Sequence, residues 1–250
     1  MMYPATTTTA TTTAMQDAAV VESFGAAQST IPRGLLPHGA ACAELHSAPT
    51  KQPDLQYFQS LPVEEQALVG TAVDRRKADF GDSRWCAHQA LKSFMDVQPP
   101  ILRGPRGMPL FPDGIAGSLT HTEGFRAALL APTHRWQSVG IDAEVARPLP
   151  EGVFSTIARP GEQRRIRNTM RSEDLQLLDT VLFSAKEATY KAWFPLTHRF
   201  LDFDQADIDL RADGTFTSYL LARPVPVPFI QGRWTIRNGY VITVTAVPAN

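Results

Sequence analysis

Little in this sequence serves export, membrane insertion or thiol chemistry. Only two cysteines occur, Cys42 and Cys86. They form no CxxC pair and no zinc-ligand spacing, and two thiols in 250 residues make no disulfide framework. Both are expected to be free thiols in a reducing compartment, where disulfides seldom persist. No apolar run approaches the ~20 residues that a membrane-spanning helix needs. No Lys or Arg precedes Arg33, so the charged start of a secretory signal and the Arg-rich pattern of a transit peptide are both missing. The opening stretch, MMYPATTTTATTTAMQDAAV, is Thr-rich and low in complexity. Disorder is expected over residues 1–25, or a start codon assigned too far upstream. The formal net charge is −1, which removes a global basic field as a means of holding nucleic acid or an anionic membrane. No phosphate loop of the form GxxxxGKS or GxxxxGKT is present. The expectation is a soluble, cytoplasmic protein whose anion sites, if any, are local.

What is present is ordinary in bulk and particular in detail. Hydrophobic residues make up 43% of the chain and charged residues 20%, as in soluble globular proteins. Ala40 to Leu45 reads as a first strand, closed by Pro49 and Pro53. The stretch from Leu61 to Met95 is mostly helical by pattern, with Pro62 near a start and Glu64 and Glu65 in the first turn, as a helix N-terminus prefers. Residues 101–114 hold so many prolines and glycines that a stiff loop is expected. IAGSLTHT and FRAALLA (125–131) read as a hairpin, and WQSVGIDAEVA (136–146) as a further strand. An irregular region from Pro148 leads through polar helical patterns to Asp174. A long helix is expected from about Leu175 to Phe194, ended by Pro195. Asp213-Gly214 and Asn238-Gly239 then mark hairpin turns among alternating strands, with PVPVP (224–228) as a loop. The order of strand, helices and hairpins occurs twice. This predicts an α+β protein of two similar halves, residues 26–137 and 138–250, behind the low-complexity tail.

In Gly140-Ile141-Asp142-Ala143-Glu144 the strand period of two puts Asp142 and Glu144 on one face, with Ile141, Ala143 and Val145 on the other. Adjacent carboxylates repel, and a hard cation with oxygen ligands would relieve them. From the pair alone, a solvated strand face is the commoner arrangement. In FSAKEATYKAWFP (183–195), Leu182, Ala185, Thr189 and Ala192 form a packing stripe, and Phe183, Glu187 and Lys191 form another. On an exposed helix Glu187 and Lys191 would be a simple i,i+4 pair worth about 0.2–0.5 kcal/mol. The aromatics Phe183, Tyr190, Trp193 and Phe194 leave that helix little solvated circumference, so its charges are expected to face a polar cavity. A third carboxylate there would complete a Mg²⁺ site, with water and phosphate oxygens filling the remaining positions.

Three blocks, GMPLFPDGIAGSLTHTEGFRAALLA, VGIDAE and LFSAKEATYKAWFPLT, carry a resemblance. The chain resembles the Sfp-type 4'-phosphopantetheinyl transferases, in particular the branch containing enterobactin synthetase component D and the actinobacterial enzymes that activate polyketide and peptide synthetases. The resemblance runs from about Ala40 to Ala246. It implies the pseudo-twofold α+β fold of that family, and a reaction in which coenzyme A donates its phosphopantetheine arm to a carrier-protein serine while 3',5'-ADP leaves. It implies Asp142, Glu144 and Glu187 as ligands of Mg²⁺, with Mn²⁺ an equally suitable ion. Asp142, Glu187 and Lys191 become the catalytic set, with Glu187 as general base and Lys191 on phosphate charge. Arg76, Arg84, Arg103, Thr120, His121, Lys186 and Lys191 are implied as coenzyme A contacts. Arg76 and Arg84 serve the 3'-phosphate side, with Arg75 the alternative to Arg76. His121 contacts the 3'-phosphate with Thr120 beside it, and Lys186 contacts the phosphates. Arg103 stands where relatives often carry lysine, and Phe111 where a tryptophan is common.

The implied macromolecular partner is an acidic acyl or peptidyl carrier domain, serving polyketide, non-ribosomal peptide or siderophore synthesis. Arg159, Arg164, Arg165, Arg167 and Arg171 offer a docking surface for it, or equally an exposed helix of mixed charge. One chain supplies both halves of the site, so a monomer is expected. Another Mg²⁺-dependent phosphoryl-transfer enzyme and a non-catalytic coenzyme A binding protein are the competing readings.

Overall fold

Strands of alternating character and two long helices, each with a small-residue face, determine the layers. The computed structural model describes residues 19–47, 52–169 and 177–249. The first sheet has the order β1-β2-β6-β5, from Val20–Phe24, Ala41–His46, Phe125–Pro132 and Ile115–Thr122. The expected strand and hairpin of this half are therefore present. Strand β1 falls inside the segment expected to be disordered. It pairs in parallel with β2, Val20 opposite Ala41 and Phe24 opposite Leu45, a non-local pairing that gives no turn signal in sequence. The helical stretch is broken into α1 (Gln56–Gln59), α2 (Val63–Ala67) and α3 (Asp74–Leu91). Within the expected loop 101–114, β3 (Leu102–Arg103) and β4 (Pro109–Leu110) pair as a short antiparallel ribbon.

The second sheet has the order β7-β11-β10-β9-β8, from Trp136–Val145, Tyr240–Pro248, Phe229–Arg237, Thr215–Leu220 and Ala206–Leu210. Both expected hairpin turns are present. Asn238 and Gly239 have φ of 50° and 80°, the left-handed pair that a two-residue hairpin turn requires. After β7 come α4 (Val153–Ile157), α5 (Pro160–Thr169) and α6 (Leu178–Thr197). Leu175, the expected start of the long helix, and Arg171 lie outside the described residues.

Pro195 does not end α6, which continues to Thr197. In this last turn proline removes one donor, the one that would reach the Lys191 carbonyl. The next bonds still form, from the His198 amide to the Phe194 carbonyl at 2.8 Å and from Thr197 Oγ1 to the Trp193 carbonyl at 3.1 Å. The helix ends instead at His198, whose φ is 52°.

Three apolar layers follow from the alternation. Cys86, Ala87, Ala90 and Leu91 of α3 pack on Ala41, Ala43, Leu45, Ala128 and Leu130 of the first sheet. The other face of that sheet, with Cys42, Phe125, Ala127 and Leu129, meets Val139, Ile141, Ala143, Ile242 and Val244 of the second. Helix α6 covers the far face of the second sheet through Leu182, Ala185, Ala192 and Trp193. Burying a Leu182-sized side chain contributes about 1.5–3 kcal/mol. Both cysteines are buried free thiols. No helix among the described residues is long and apolar enough to cross a membrane.

Candidate active site

Helix α6 lies directly on β7. A Cβ added at Gly140 would stand 2.0 Å from the Ala188 carbonyl oxygen, so only glycine permits this approach. Thr243 and Thr245 of β11 donate to the Ser184 and Ala188 carbonyls at 2.9 and 3.0 Å, pinning the helix backbone to the sheet. One turn further along, Lys191 Nζ donates to Asp142 Oδ1 at 2.7 Å and to the Ile141 carbonyl at 3.0 Å. Asp142 and Glu144 do share the face turned toward α6, since Ile141 and Ala143 belong to the core between the sheets.

The electrostatics of this corner are those of excess negative charge. Burial, then Asp142, pushes Glu144 up to about 7, with Lys191 opposing and Glu187 adding. Glu187 is raised by burial and by Asp142, with Lys191 opposing. Asp142 is itself buried, and its Oδ2 has no hydrogen-bond partner among the described residues. A buried carboxylate oxygen without a donor is costly. Three carboxylates, one with an open buried oxygen, are a donor set that suits a hard divalent cation. Among the described residues, no three acidic, His or Cys side chains are gathered into a preassembled metal cage. The Lys191 ammonium is the cation seated on Asp142.

A set of basic residues lies on α3 and β3. Arg76, Phe80 and Arg84 follow one another at four-residue intervals on α3. The Arg84 guanidinium lies over the Phe80 ring, 5.1 Å from its centroid, and Arg103 of β3 reaches the same ring at 5.4 Å. Arg84 is 3% exposed, and its Nη1 has no partner among the described residues. Burial pulls Arg84 down to about 10, with Glu65 opposing and Arg103 adding. His121 stands exposed near the end of β5. The protein around its ring lowers its pKa, Asp79 opposes, and Arg126, Lys191 and Arg76 lower it further. Arg76 and Lys191 thus both act electrostatically on His121.

Two expected contacts are placed elsewhere. Lys186 is 3% exposed and turned away from the carboxylates. Its Nζ pairs with Glu162 at 3.0 Å and donates to the Phe203 and Ala206 carbonyls at 2.5 and 2.9 Å, which leaves no donor for a phosphate. Thr120 is 2% exposed. Its Oγ1 accepts from the Ala143 amide at 3.0 Å and donates to Asp142 Oδ1 at 3.4 Å, so the hydroxyl faces β7 and not the open side where His121 stands. Sequence reading also passed over Phe80, the shelf for two guanidiniums. It passed over Arg126, which holds Asp79 at 2.5 Å and Asp82 at 3.6 Å and so ties α3 to β6. An arginine inside the apolar run FRAALLA was the available signal.

Known proteins resemble both halves. A family model described as the 4'-phosphopantetheinyl transferase N-terminal domain matches residues 64–131, and that of the 4'-phosphopantetheinyl transferase superfamily matches residues 138–245. The 4'-phosphopantetheinyl transferase Npt of Nocardia iowensis is 40% identical over 226 residues, covering 85% of this chain and 97% of that protein. The 4'-phosphopantetheinyl transferase PptT of Mycobacterium tuberculosis is 40% identical over 213 residues, 81% of this chain and 90% of that one. Enterobactin synthase component D of Salmonella austin is 27% identical over 179 residues, 70% and 74% of the two chains. Because the similarity extends through the carboxylate corner and the basic patch alike, the chain belongs to the 4'-phosphopantetheinyl transferase superfamily.

Proposed function

We propose that this transferase works at the corner between α6, β7 and the end of β5. Asp142, Glu144 and Glu187 would hold Mg²⁺ or Mn²⁺ there. Arg76, Arg84, Arg103 and His121 would hold the phosphates of coenzyme A. The single observation that carries the reading is the open, buried Asp142 Oδ2 beside Glu144 and Glu187, whose proton affinities are raised by burial and then by the Asp142 charge. When bound, the metal neutralises pyrophosphate charge as the P–O bond breaks.

The protein's own groups do the rest. Glu187, with its raised affinity for a proton, accepts the hydrogen of the carrier serine as Oγ bonds to the phosphorus that carries the pantetheine arm. The bond from that phosphorus to the bridging oxygen breaks, and 3',5'-ADP leaves with the electron pair. Lys191, an ammonium already in the corner, balances charge on the departing phosphate. Arg84 and Arg103 stack on Phe80 and present planar donors to phosphate oxygens.

Intact-mass measurement tests the reaction. With apo carrier protein, coenzyme A and Mg²⁺, the carrier should gain about 340 Da, the mass of one arm. Chelator should abolish the gain. Coenzyme A breakdown without carrier modification would instead indicate a hydrolase, and binding without turnover a non-catalytic protein.

The metal reading has a pH signature. Folding raises Glu144 from the ordinary 4.5 to about 7, so in metal-free protein its contribution to stability is full below pH 4.5 and lost as pH rises through about 7. A divalent cation takes the proton's place above that range. Added Mg²⁺ should therefore raise the melting temperature more at pH 8 than at pH 6. An equal rise at both would remove Glu144 from the ligand set.

We read the two halves as related by a pseudo-twofold. In each, the first strand pairs antiparallel with the last strand of a hairpin, β2-β6-β5 and β7-β11-β10, and a long helix covers the sheet. A monomer serving acyl or peptidyl carriers in the cytoplasm is the corresponding reading, with polyketide, peptide or siderophore synthetases as the carriers' source. Of the basic residues expected to dock the carrier, Arg159 and Arg165 are paired with Asp207, while Arg164 and Arg167 point outward on α5. Arg164→Glu should raise the KM for carrier several-fold with kcat unchanged. An unmoved KM would end the docking reading.

A further inference from the structure

We propose that Thr120 is a positioning residue for Asp142, and that it, more than any phosphate contact, is how β5 serves the reaction. This rests on the reading of Asp142 as a metal ligand. The Thr120 hydroxyl has one hydrogen, and it is directed to Asp142 Oδ1 at 3.4 Å. The oxygen itself accepts from the Ala143 amide at 3.0 Å, which occupies one of its two lone pairs and favours rotamers that turn the hydrogen away from that amide. Oδ1 also receives Lys191 at 2.7 Å. Both available donors thus fall on the same carboxylate oxygen, and Oδ2 is left open and buried. The carboxylate is held so that one oxygen anchors and the other is presented. Thr120 is 2% exposed and adjacent to His121 along a strand, so its side chain points to the opposite face from the exposed imidazole.

Orientation by an outer partner sets the affinity of a carboxylate ligand, and losing such a partner typically weakens metal binding 10–100-fold. Thr120→Val keeps the shape and removes the hydroxyl. Mn²⁺ titration by electron paramagnetic resonance, on full-length protein without coenzyme A, should show an affinity about tenfold weaker than wild type. Thr120→Ser should recover it to within about twofold, and coenzyme A affinity in chelator should stay within about twofold for all three proteins. If Thr120→Val melts too low to titrate, Thr120→Ala reads the same quantity. Unchanged Mn²⁺ affinity in the folded variant would overturn the proposal, and a weakened coenzyme A affinity beside it would return Thr120 to the phosphates. Asp142→Asn separates the underlying reading: if it binds Mn²⁺ like wild type, Asp142 is no ligand and both fall.

Discussion

Glu187→Gln should lower turnover by about a thousandfold while leaving coenzyme A affinity within a few-fold. The substitution keeps the shape and an oxygen able to accept a hydrogen bond. It removes a group that takes a proton, and it removes one of three negative charges from the corner. Arg84 and Arg103, which we propose hold the phosphates, sit on α3 and β3 against Phe80, on separate elements from α6, so the binding of coenzyme A should barely register the change. Stopped-assay turnover beside calorimetric binding in chelator separates the two quantities. Retained turnover would take Glu187 out of the proton-transfer role, and a parallel fall in affinity would make it a binding residue.

The second large effect concerns stability. Lys186→Met should destabilise the fold by about 3–5 kcal/mol, the cost of leaving a buried charge without its partner. Glu162 is fully buried and accepts from Lys186, from the Arg159 amide at 2.6 Å and from the Ile208 amide at 2.7 Å. Burial lowers the Lys186 pKa, with Glu162 opposing. Removal of the ammonium would leave the carboxylate with two amides and no cation, between α5, α6 and β8. Urea unfolding should show the midpoint fall, and Lys186→Met combined with Glu162→Gln should recover part of it, since the uncompensated charge is then gone. An unchanged midpoint together with a raised KM for coenzyme A would put Lys186 back among the phosphate contacts.

Both displaced contacts were legible in local geometry. Lys186 and Glu187 are consecutive on a helix, so their side chains diverge by about 100°. Glu187 and Lys191, four apart, share a face. Thr120 and His121 are consecutive on a strand and point to opposite faces. The resemblance treated neighbours in sequence as neighbours in space, and the backbone periods say otherwise. The same periods did place Asp142 beside Glu144, the stripe of Leu182, Ala185, Thr189 and Ala192 against the sheet, and the turns at Asp213-Gly214 and Asn238-Gly239. Sequence was silent where the cause is non-local. The parallel partner of Val20–Phe24 lies some twenty residues on. The partner of Lys186 lies on another helix. The shared shelf at Phe80 joins α3 to a ribbon that begins after Pro100.

Ser118 Oγ accepts from the Ile141 amide at 3.1 Å, as Thr120 does from Ala143, so two hydroxyls of β5 stand in for a backbone ladder along β7. Behind them lies the apolar layer shared by both sheets. The division near residue 137 is therefore a seam in the sequence without being a joint in the body. A hinge there would have to strip those amides of their acceptors and wet that layer at once, two costs that add. With those bonds and that layer intact, the two halves are expected to move together.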